Sequence, residues 1–223
     1  MRLLFAIWLG LWLVAPQVAE AGAWLREKGS GFTALTFGMN KDEENSPSLY
    51  FEYGLTEKTT VGFDIHAAMN GASLRDASGM IFLRRTLWHL NGPHKLSYEL
   101  GLGGTYRDDL LLPTVKTGVS WGRGFQLWER NGWINVNAAY IYEPMQGSSL
   151  SKLEGTVGLD LGKITTGMIE IAMSRMDGDT FSSIEPSVLI KPKKGKYKFR
   201  VGVAVPFDNA DKSSLKLGIW HSF

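Results

Sequence analysis

Asp64 and His66 are the pair of side chains in this sequence best suited to acid–base chemistry. They are two residues apart in the segment TVGFDIHAA, which alternates apolar and polar residues as a β-strand does. Residues i and i+2 of a strand share a face, so the carboxylate can orient the imidazole. A simple hydrogen bond on a polar strand face is the interpretation that we favour. The chain has no cysteine, which excludes a thiol nucleophile, a thiolate metal site and a disulfide framework.

Other motifs that could carry chemistry are weaker. The acidic segments KDEENSP and RMDGDT lack the twelve-residue calcium-loop spacing with its closing Glu. The glycine-rich segments GLGG (101–104) and GRG (122–124) do not match a phosphate loop and do not open a helix. The basic run KPKKGK (191–196) is most simply a solvated turn, and a net charge of +2 provides no strong field for nucleic acid. The sequence therefore predicts no cofactor, no metal site and no nucleic-acid partner.

The elements that position these residues are predicted to be strands. Period-two alternation extends over nearly the whole chain after residue 21, and a helical period is almost absent. One run, SGMIFLRRTLW, has apolar residues on both faces, so its outward face is not assigned, and residues 124–131 show no clear pattern. The alternation predicts roughly twelve strands, at 32–40, 48–55, 59–68, 77–88, 95–106, 113–122, 132–142, 151–161, 164–174, 181–190, 196–207 and 214–223.

The first 21 residues have the layout of a secretory signal peptide. Arg2 precedes an apolar run over 3–14, Pro16 ends it, and Ala19-Glu20-Ala21 is a small-x-small cleavage site. The run of about 12 residues is too short to span a membrane as a helix, which needs about 20. We therefore expect a signal peptide over 1–21, Sec-type export, and one domain over 22–223.

The length and the two faces of the strands favour a membrane barrel over a soluble β-sandwich. The predicted strands have about 9–12 residues, the length of a tilted membrane-spanning strand, whereas sandwich strands average five or six. One face is rich in Gly, Ser, Thr and Asn, and the other is nearly free of charge. Counted with both termini in the periplasm, aromatic residues such as Trp121 and Trp133 fall near a membrane interface. The prediction is an all-β fold: a closed antiparallel transmembrane β-barrel of about 12 strands (10–12) in an up-and-down meander.

The C-terminal segment LKLGIWHSF (215–223) resembles the terminal signature of bacterial outer-membrane β-barrel proteins. It alternates and ends on Phe223, although His221 stands where that family often has Tyr or another hydrophobic residue. The segment YGLTEKTTVGFD (53–64) is similar to the tight hairpins of porin-like families. The resemblance implies a location in the bacterial outer membrane and contact with membrane lipid and lipopolysaccharide. It also implies that the barrel assembly machinery recognises the strand ending in Phe223.

Outer-membrane barrel enzymes that act on lipids, such as the phospholipase A family and the lipid-A deacylases, share a His-x-Ser arrangement. None of the four histidines, His66, His89, His94 and His221, has Ser two residues later. His221 directly precedes Ser222, so these two side chains point to opposite faces of a strand. The sequence therefore predicts that the protein is not an enzyme.

The polar strand faces supply the candidate lumen-lining residues. Their positive and negative charges nearly balance, which suggests ion pairs that narrow or close the barrel rather than a ring of one sign. Lys198, Arg200 and Lys216 are the one local excess of positive charge, a candidate anion-attracting wall. The full set predicted by alternation is Glu52, Asp64, His66, Glu99, Lys116, Lys152, Glu154, Asp160, Glu170, Lys198, Arg200 and Lys216.

Three functions are compatible with this sequence. The first is a narrow channel for passive passage of small solutes. The second is a non-conducting barrel with a structural or surface-interaction role through its outer loops. The third, a lipid-modifying barrel enzyme, is the least favoured because the His-x-Ser arrangement is missing.

Overall fold

The protein folds into a barrel of antiparallel strands. The computed structural model describes residues 22–88, 93–193 and 195–223, so the predicted signal peptide (1–21) and His89 lie outside the described residues. Within them the strands are β1 (Gly31–Asn40), β2 (Glu44–Thr56), β3 (Thr59–Asn70), β4 (Ser73–Trp88), β5 (His94–Arg107), β6 (Leu110–Leu127), β7 (Arg130–Glu143), β8 (Ser148–Asp160), β9 (Thr165–Met176), β10 (Asp179–Ile190), β11 (Tyr197–Pro206) and β12 (Ser214–Ser222). One turn of 3₁₀-helix, Ala210–Lys212, precedes β12.

The strands close into a ring in chain order. Each strand pairs antiparallel with its sequence neighbours, and β12 pairs with β1 from Phe32↔Ser222 to Asn40↔Ser214. Closure leaves no free sheet edge, so the wall satisfies its own backbone hydrogen bonds. The predicted fold class and the strand number of twelve are confirmed.

Several strands extend beyond their apolar alternation. β2 begins at Glu44 and β6 runs to Leu127, because the ladder of backbone hydrogen bonds continues through residues whose side chains no longer alternate. The turn that follows β6 has Trp128 and Glu129 at φ values of 47° and 63°. Two positive φ angles characterise the type I′ turn, whose twist matches that of the flanking strands. Since such turns usually carry Asn or Gly, the sequence gives no signal for this one.

The structure assigns the two faces of β4. Phe82 and Arg84 are buried in the barrel interior, whereas Ile81 is 72% exposed on the outside. The apolar residues on both faces have different roles, since Phe82 packs inside the barrel and Ile81 belongs to its outer surface.

Large apolar side chains cover the outer surface of the barrel. Exposed examples on four neighbouring strands are Leu100, Leu102, Leu111, Val119 and Tyr140 on β5–β7, with Ile81 on β4. A continuous apolar exterior of this kind is unfavourable in water and matches the lipid-facing band of membrane barrels. No helix within the described residues is long and apolar enough to cross a membrane.

The two ends of the barrel differ little in the length of their turns. We call the end where β1 begins and β12 ends the terminal end, and the other the opposite end. At the opposite end the connections range from two residues (71–72, 108–109 and 177–178) to seven (207–213). This end therefore carries no long loop that could fold over the barrel mouth or extend far from it.

An apolar cluster fills part of the interior near the terminal end. It consists of Phe32, Trp133, Met168, Leu189 and Trp220, with Phe32 and Trp220 edge to face at 5.7 Å between ring centroids. Since β1 and β7 stand opposite each other in the ring, the cluster reaches across the lumen. The expected interfacial position of Trp133 is wrong. Its side chain is 1% exposed and packs inside the barrel against Gly158, whose missing Cβ leaves room for the indole ring.

Candidate functional site in the barrel interior

Arg84 is the centre of a charged network on the wall formed by β2 to β6. Its guanidinium donates to Glu99 Oε2 at 2.6 Å and contacts Glu52, and Lys116 Nζ lies 2.7 Å from Glu99 Oε1. The guanidinium also stands 5.1 Å from the centroid of the Phe82 ring. Each carboxylate has a cationic partner on each side, so charge alternates along this wall. Buried carboxylates require such compensation.

Two further groups complete this network. The hydroxyl of Tyr50 donates to Glu52 and accepts from Arg84 Nη2 at 3.1 Å. Arg26, which precedes β1, donates from Nε to Glu52 Oε2 at 2.6 Å and lies over the ring of Phe32, 4.5 Å from its centroid. The network therefore ties the segment before β1 to the barrel wall.

A second charged group lies on the wall formed by β9 to β11. Arg200 Nη2 is 2.7 Å from Glu185 Oε1 and 3.6 Å from Glu170 Oε2, and its Nε donates to Ser187 Oγ at 3.1 Å. Glu170 and Glu185 face each other across the β9–β10 pairing. Arg200 thus offsets two neighbouring carboxylates, and the positive excess predicted for this wall is smaller than the sequence suggested.

The other predicted lumen residues make smaller contacts. Asp160 accepts from Thr166 Oγ1 at 2.6 Å and lies 3.6 Å from Lys191 Nζ. Lys216 Nζ donates to Ser46 Oγ at 3.0 Å across the intervening strand β1. Lys198 lies on the same face of β11 as Arg200, opposite Trp220 in the β11–β12 pairing.

Asp64 and His66 form the predicted pair on β3, with 2.9 Å between His66 Nε2 and Asp64 Oδ1. Ser48 and Ser78 are the cross-strand partners of His66 on β2 and β4. No hydrogen bond joins a hydroxyl to His66 in the part of the chain that the structure describes. In this structure Asp64 is thus the group that orients the His66 imidazole.

Lys152 and Glu154 lie in a vestibule near the opposite end, with Glu154 on the strand next to Glu170 of the second group. Together with Phe181, Lys212 and Asp208 they line a cavity of about 650 Å³, whose wall also contains Ser174, Ser182 and Asn209. Both signs of charge and several hydroxyl and amide groups are present. The volume lies within the usual range of about 300–1,000 Å³ for small-molecule sites.

The chain before β1 occupies the interior at the terminal end. Ala23 N donates to Asn135 Oδ1 at 3.1 Å, and the Gly22 carbonyl accepts from Ser97 Oγ at 3.3 Å. Further along, Arg26 N donates to Thr60 Oγ1 at 2.9 Å. The segment 22–30, which we call the inner segment, therefore crosses from β7 and β5 to β3 inside the ring.

Two glycines make room for the inner segment. A Cβ at position 122 on β6 would lie 2.5 Å from the Trp24 ring and 2.9 Å from Ala23 Cβ. A Cβ at position 54 on β2 would overlap the backbone of Glu27, and Gly29 N donates to the Gly54 carbonyl at 2.9 Å. The inner segment is thus fitted to the wall at both of its ends.

Sequence reasoning missed three residues of these networks. Alternation did not assign Arg84 to the interior because both faces of β4 carry apolar residues. It did not cover Arg26 because this residue precedes the first strand. Glu185 lies beside Pro186, where the alternation of β10 is weak. The available signal was the spacing of these charges from other interior residues. Arg84, for example, is two residues from Phe82, so both side chains share one face of β4. Within the described residues, no group of three His, Asp or Glu side chains is placed to hold a metal ion.

Comparisons with known proteins identify the fold. A scan against models of protein families finds no match, and a search of curated proteins also finds none. The KdgM porin is similar in structure at a TM-score of 0.62 with 9% identity, covering 86% of this chain and 99% of that one. The COG4313 outer membrane channel from Pseudomonas putida F1 matches at 0.54 with 14% identity, covering 93% and 100%. LpxR from Salmonella typhimurium, an enzyme, matches at 0.53 with 10% identity, covering 86% and 99%.

The closed ring of twelve strands, the apolar exterior and the charged interior together define a porin-like outer-membrane β-barrel fold. At these levels of identity the likeness concerns the fold.

Proposed function

We propose that this protein is a narrow channel of the bacterial outer membrane for passive passage of small solutes. The observation that carries the proposal is the vestibule, a 650 Å³ cavity lined by charges of both signs inside a closed barrel. The charged groups around this cavity, Lys152, Glu154, Asp208 and Lys212, can contact a polar solute that enters from the opposite end. The similarity of the fold to a porin and to an outer membrane channel adds support.

The interior charges argue against strong ion selectivity, because three of the described interior cations, Arg84, Lys116 and Arg200, are each within ion-pair distance of a carboxylate. Selectivity arises from rings of one sign. We therefore infer that the channel serves small polar solutes of either charge, with Lys152 and Glu154 as charged groups of the vestibule wall that a solute passes.

Single-channel recording in a planar bilayer with a KCl gradient tests the proposal. The wild-type barrel is expected to give discrete conductance steps with a reversal potential near zero. Lys152→Gln should shift the reversal potential toward cation preference and Glu154→Gln toward anion preference, since each removes one charge from the vestibule. Lys41→Gln, at an exposed residue of the same end, is the matched control and should change nothing. Complete absence of steps in every variant, including one that lacks residues 22–24 of the inner segment, would overturn the channel proposal.

The alternative role in surface interaction has less support. Its requirement is an extended outer surface, and the described connections at the opposite end have at most seven residues. Channel recordings also decide this alternative, because a barrel that serves only as a docking or structural element remains silent.

An enzymatic role has one favourable observation, the Asp64–His66 pair at 2.9 Å. The pair lies on the interior face of β3 without a bound hydroxyl, so we propose that it is a structural hydrogen bond. Lipid hydrolysis by the purified protein that disappears in both Asp64→Asn and His66→Ala would reverse this assignment.

We also propose that residues 1–21 are a cleaved signal peptide and that the barrel assembly machinery recognises the strand ending in Phe223. Phe223 N donates to the Gly31 carbonyl at 3.0 Å and its own carbonyl accepts from Gly31 N at 2.8 Å, contacts that do not need the ring. Phe223→Ala should therefore lower the amount of assembled barrel in cells several-fold, and by more than it lowers refolding of the urea-denatured chain into detergent, where only the ring contacts with Phe51 and His221 are lost. Leu217→Ala, at a lipid-facing residue of the same strand, is the control. Equal yields of the two variants in cells would exclude recognition of the terminal ring.

A further inference from the structure

The wall beneath the inner segment is polar, in contrast to the rest of the interior at the terminal end. The segment 22–26 contacts Asn135, Ser97, Thr60 and Glu52, all of which are 3% exposed or less. The apolar cluster occupies the other part of the cross-section, on β1, β7, β9, β10 and β12. A polar strip is thus covered by a short stretch of chain, whereas the apolar part is filled by side chains of the wall itself.

The two halves of the inner segment are held differently. From Arg26 onward the segment is anchored, because Arg26 is paired with Glu52 and the backbone of Gly29 and Ser30 exchanges hydrogen bonds with Gly54 at 2.9 Å each. Residues 22–24 are held by two hydrogen bonds, one of them long at 3.3 Å, and by packing of the Trp24 ring. Residues 22–24 can therefore leave the wall while the anchor stays in place.

The interior also offers an acceptor that the inner segment does not use. Asn137 Oδ1 is buried and has no hydrogen-bond partner among the residues that the structure describes. It lies close to Gly22, since a Cβ at that position would be 2.6 Å from it. Gly22 has φ 84°, a backbone conformation that glycine adopts readily. The side-chain amides of Asn135 and Asn137 leave no space there for a Cβ atom.

We propose that residues 22–24 are a displaceable plug that closes a polar passage along β2–β7 at the terminal end, and that the amide pair Asn135–Asn137 is its seat. This inference rests on the proposed channel function and on cleavage after Ala21. Cleavage makes Gly22 the first residue, and its α-ammonium group, a donor of three hydrogen bonds, then has Asn137 Oδ1 as an adjacent acceptor. Displacement uncovers Ser97, Asn135 and Asn137, groups that can replace the hydration of a small polar solute.

A reversible tether tests the plug directly, because the natural chain contains no cysteine. The double variant Ala23→Cys with Gly122→Cys brings the Cβ atoms of two cysteines to 2.9 Å from each other. Lengthening this distance by about 1 Å gives the Cβ–Cβ separation of a disulfide. The oxidised double variant should conduct no more than a third as much as the same preparation after reduction. The two single variants are the controls and should not respond to reductant.

Removal of the plug provides the second measurement. Deletion of residues 22–24, and independently Trp24→Ala, should raise single-channel conductance or open probability at least three-fold, with folding verified by heat-modifiable gel mobility. If all forms conduct and neither oxidation nor deletion changes the current, the plug is overturned and the channel function stands. If every form is silent, including the deletion, both the plug and the proposed channel function fail.

Discussion

At the scale of residues, the barrel interior is organised around two guanidinium groups, Arg200, which the sequence pattern identifies, and Arg84, which it does not. Arg84 and Arg200 each contact two carboxylates and lie near an aromatic ring, Phe82 at 5.1 Å and Trp220 at 5.8 Å. A planar guanidinium can bridge several acceptors at once and stack on an aromatic face, which an ammonium group does less well. Both sites are therefore specific for Arg.

Arg84→Met is expected to destabilise the barrel by about 3 kcal/mol, because it leaves Glu52 and Glu99 buried with one cationic partner fewer. The remaining contacts from Arg26 and Lys116 place the cost at the lower part of the usual range. Urea titration in detergent, followed by tryptophan fluorescence, measures the free energy of unfolding.

The control for this prediction is Lys41→Met, since Lys41 lies on the surface 3.8 Å from Asp211 and its removal should change stability by less than about 0.5 kcal/mol. Arg84→Lys, which keeps one positive charge beside Glu52 and Glu99 and leaves their contacts with Arg26 and Lys116 in place, should lose less stability than Arg84→Met. An equal loss in Arg84→Lys and Arg84→Met would show that packing of the guanidinium, and not charge compensation, is what stabilises this wall.

At the scale of elements, glycines on the interior face determine where a side chain from a neighbouring strand can lie directly against the backbone of the wall. The Trp133 ring lies directly over Gly158 of β8, and Lys216 reaches Ser46 across Gly38 of β1. On a strand the side chain of a residue stands perpendicular to the sheet, so a missing Cβ is what leaves the surface of the strand accessible. The sequence pattern indicates that interior glycines are needed, and the structure shows what each of them accommodates.

Gly158→Ala should therefore destabilise the barrel by about 1–3 kcal/mol, because the added methyl group overlaps the Trp133 ring and forces the indole out of the apolar cluster. Gly155→Ala on the same strand is the matched control, since a Cβ there meets no atom within 4 Å. Its effect should stay within about 0.5 kcal/mol. Near-UV circular dichroism should report a changed tryptophan environment in Gly158→Ala alone. Equal unfolding midpoints for the two variants would contradict this packing.

At the scale of the whole molecule, the barrel exterior is the property that commits the chain to a membrane. Ile171 lies near the middle of β9 and is 45% exposed. Leu111 is the second residue of β6, at the opposite end of the barrel, and is 72% exposed. In a bilayer these two side chains differ in depth, although both face outward. In water they would differ little.

Ile171→Lys should consequently destabilise the lipid-embedded barrel by about 2–4 kcal/mol, and Leu111→Lys by about 0–1 kcal/mol. Urea-driven unfolding from lipid vesicles, under conditions where folding is reversible, provides both free energies. If the two substitutions cost the same, the apolar band does not face hydrocarbon and the membrane location proposed for this protein is wrong.

The sequence by itself determined most of the strands and the outward faces of those that alternate, β4 excepted, because alternation with period two is a local property that backbone geometry converts directly into two faces. It also predicted the closed ring. Glu52, Glu99 and Lys116 could be assigned to the interior on that ground alone. The pairing of these residues through Arg84, the burial of Trp133 and the course of the inner segment could not. They depend on which residues meet across the ring after it closes, and contacts such as Ala23 with Asn135 join positions 112 residues apart. Only the tertiary structure, by fixing the register of all twelve strands at once, decides that the terminal end of the barrel is filled while the opposite end holds an open vestibule.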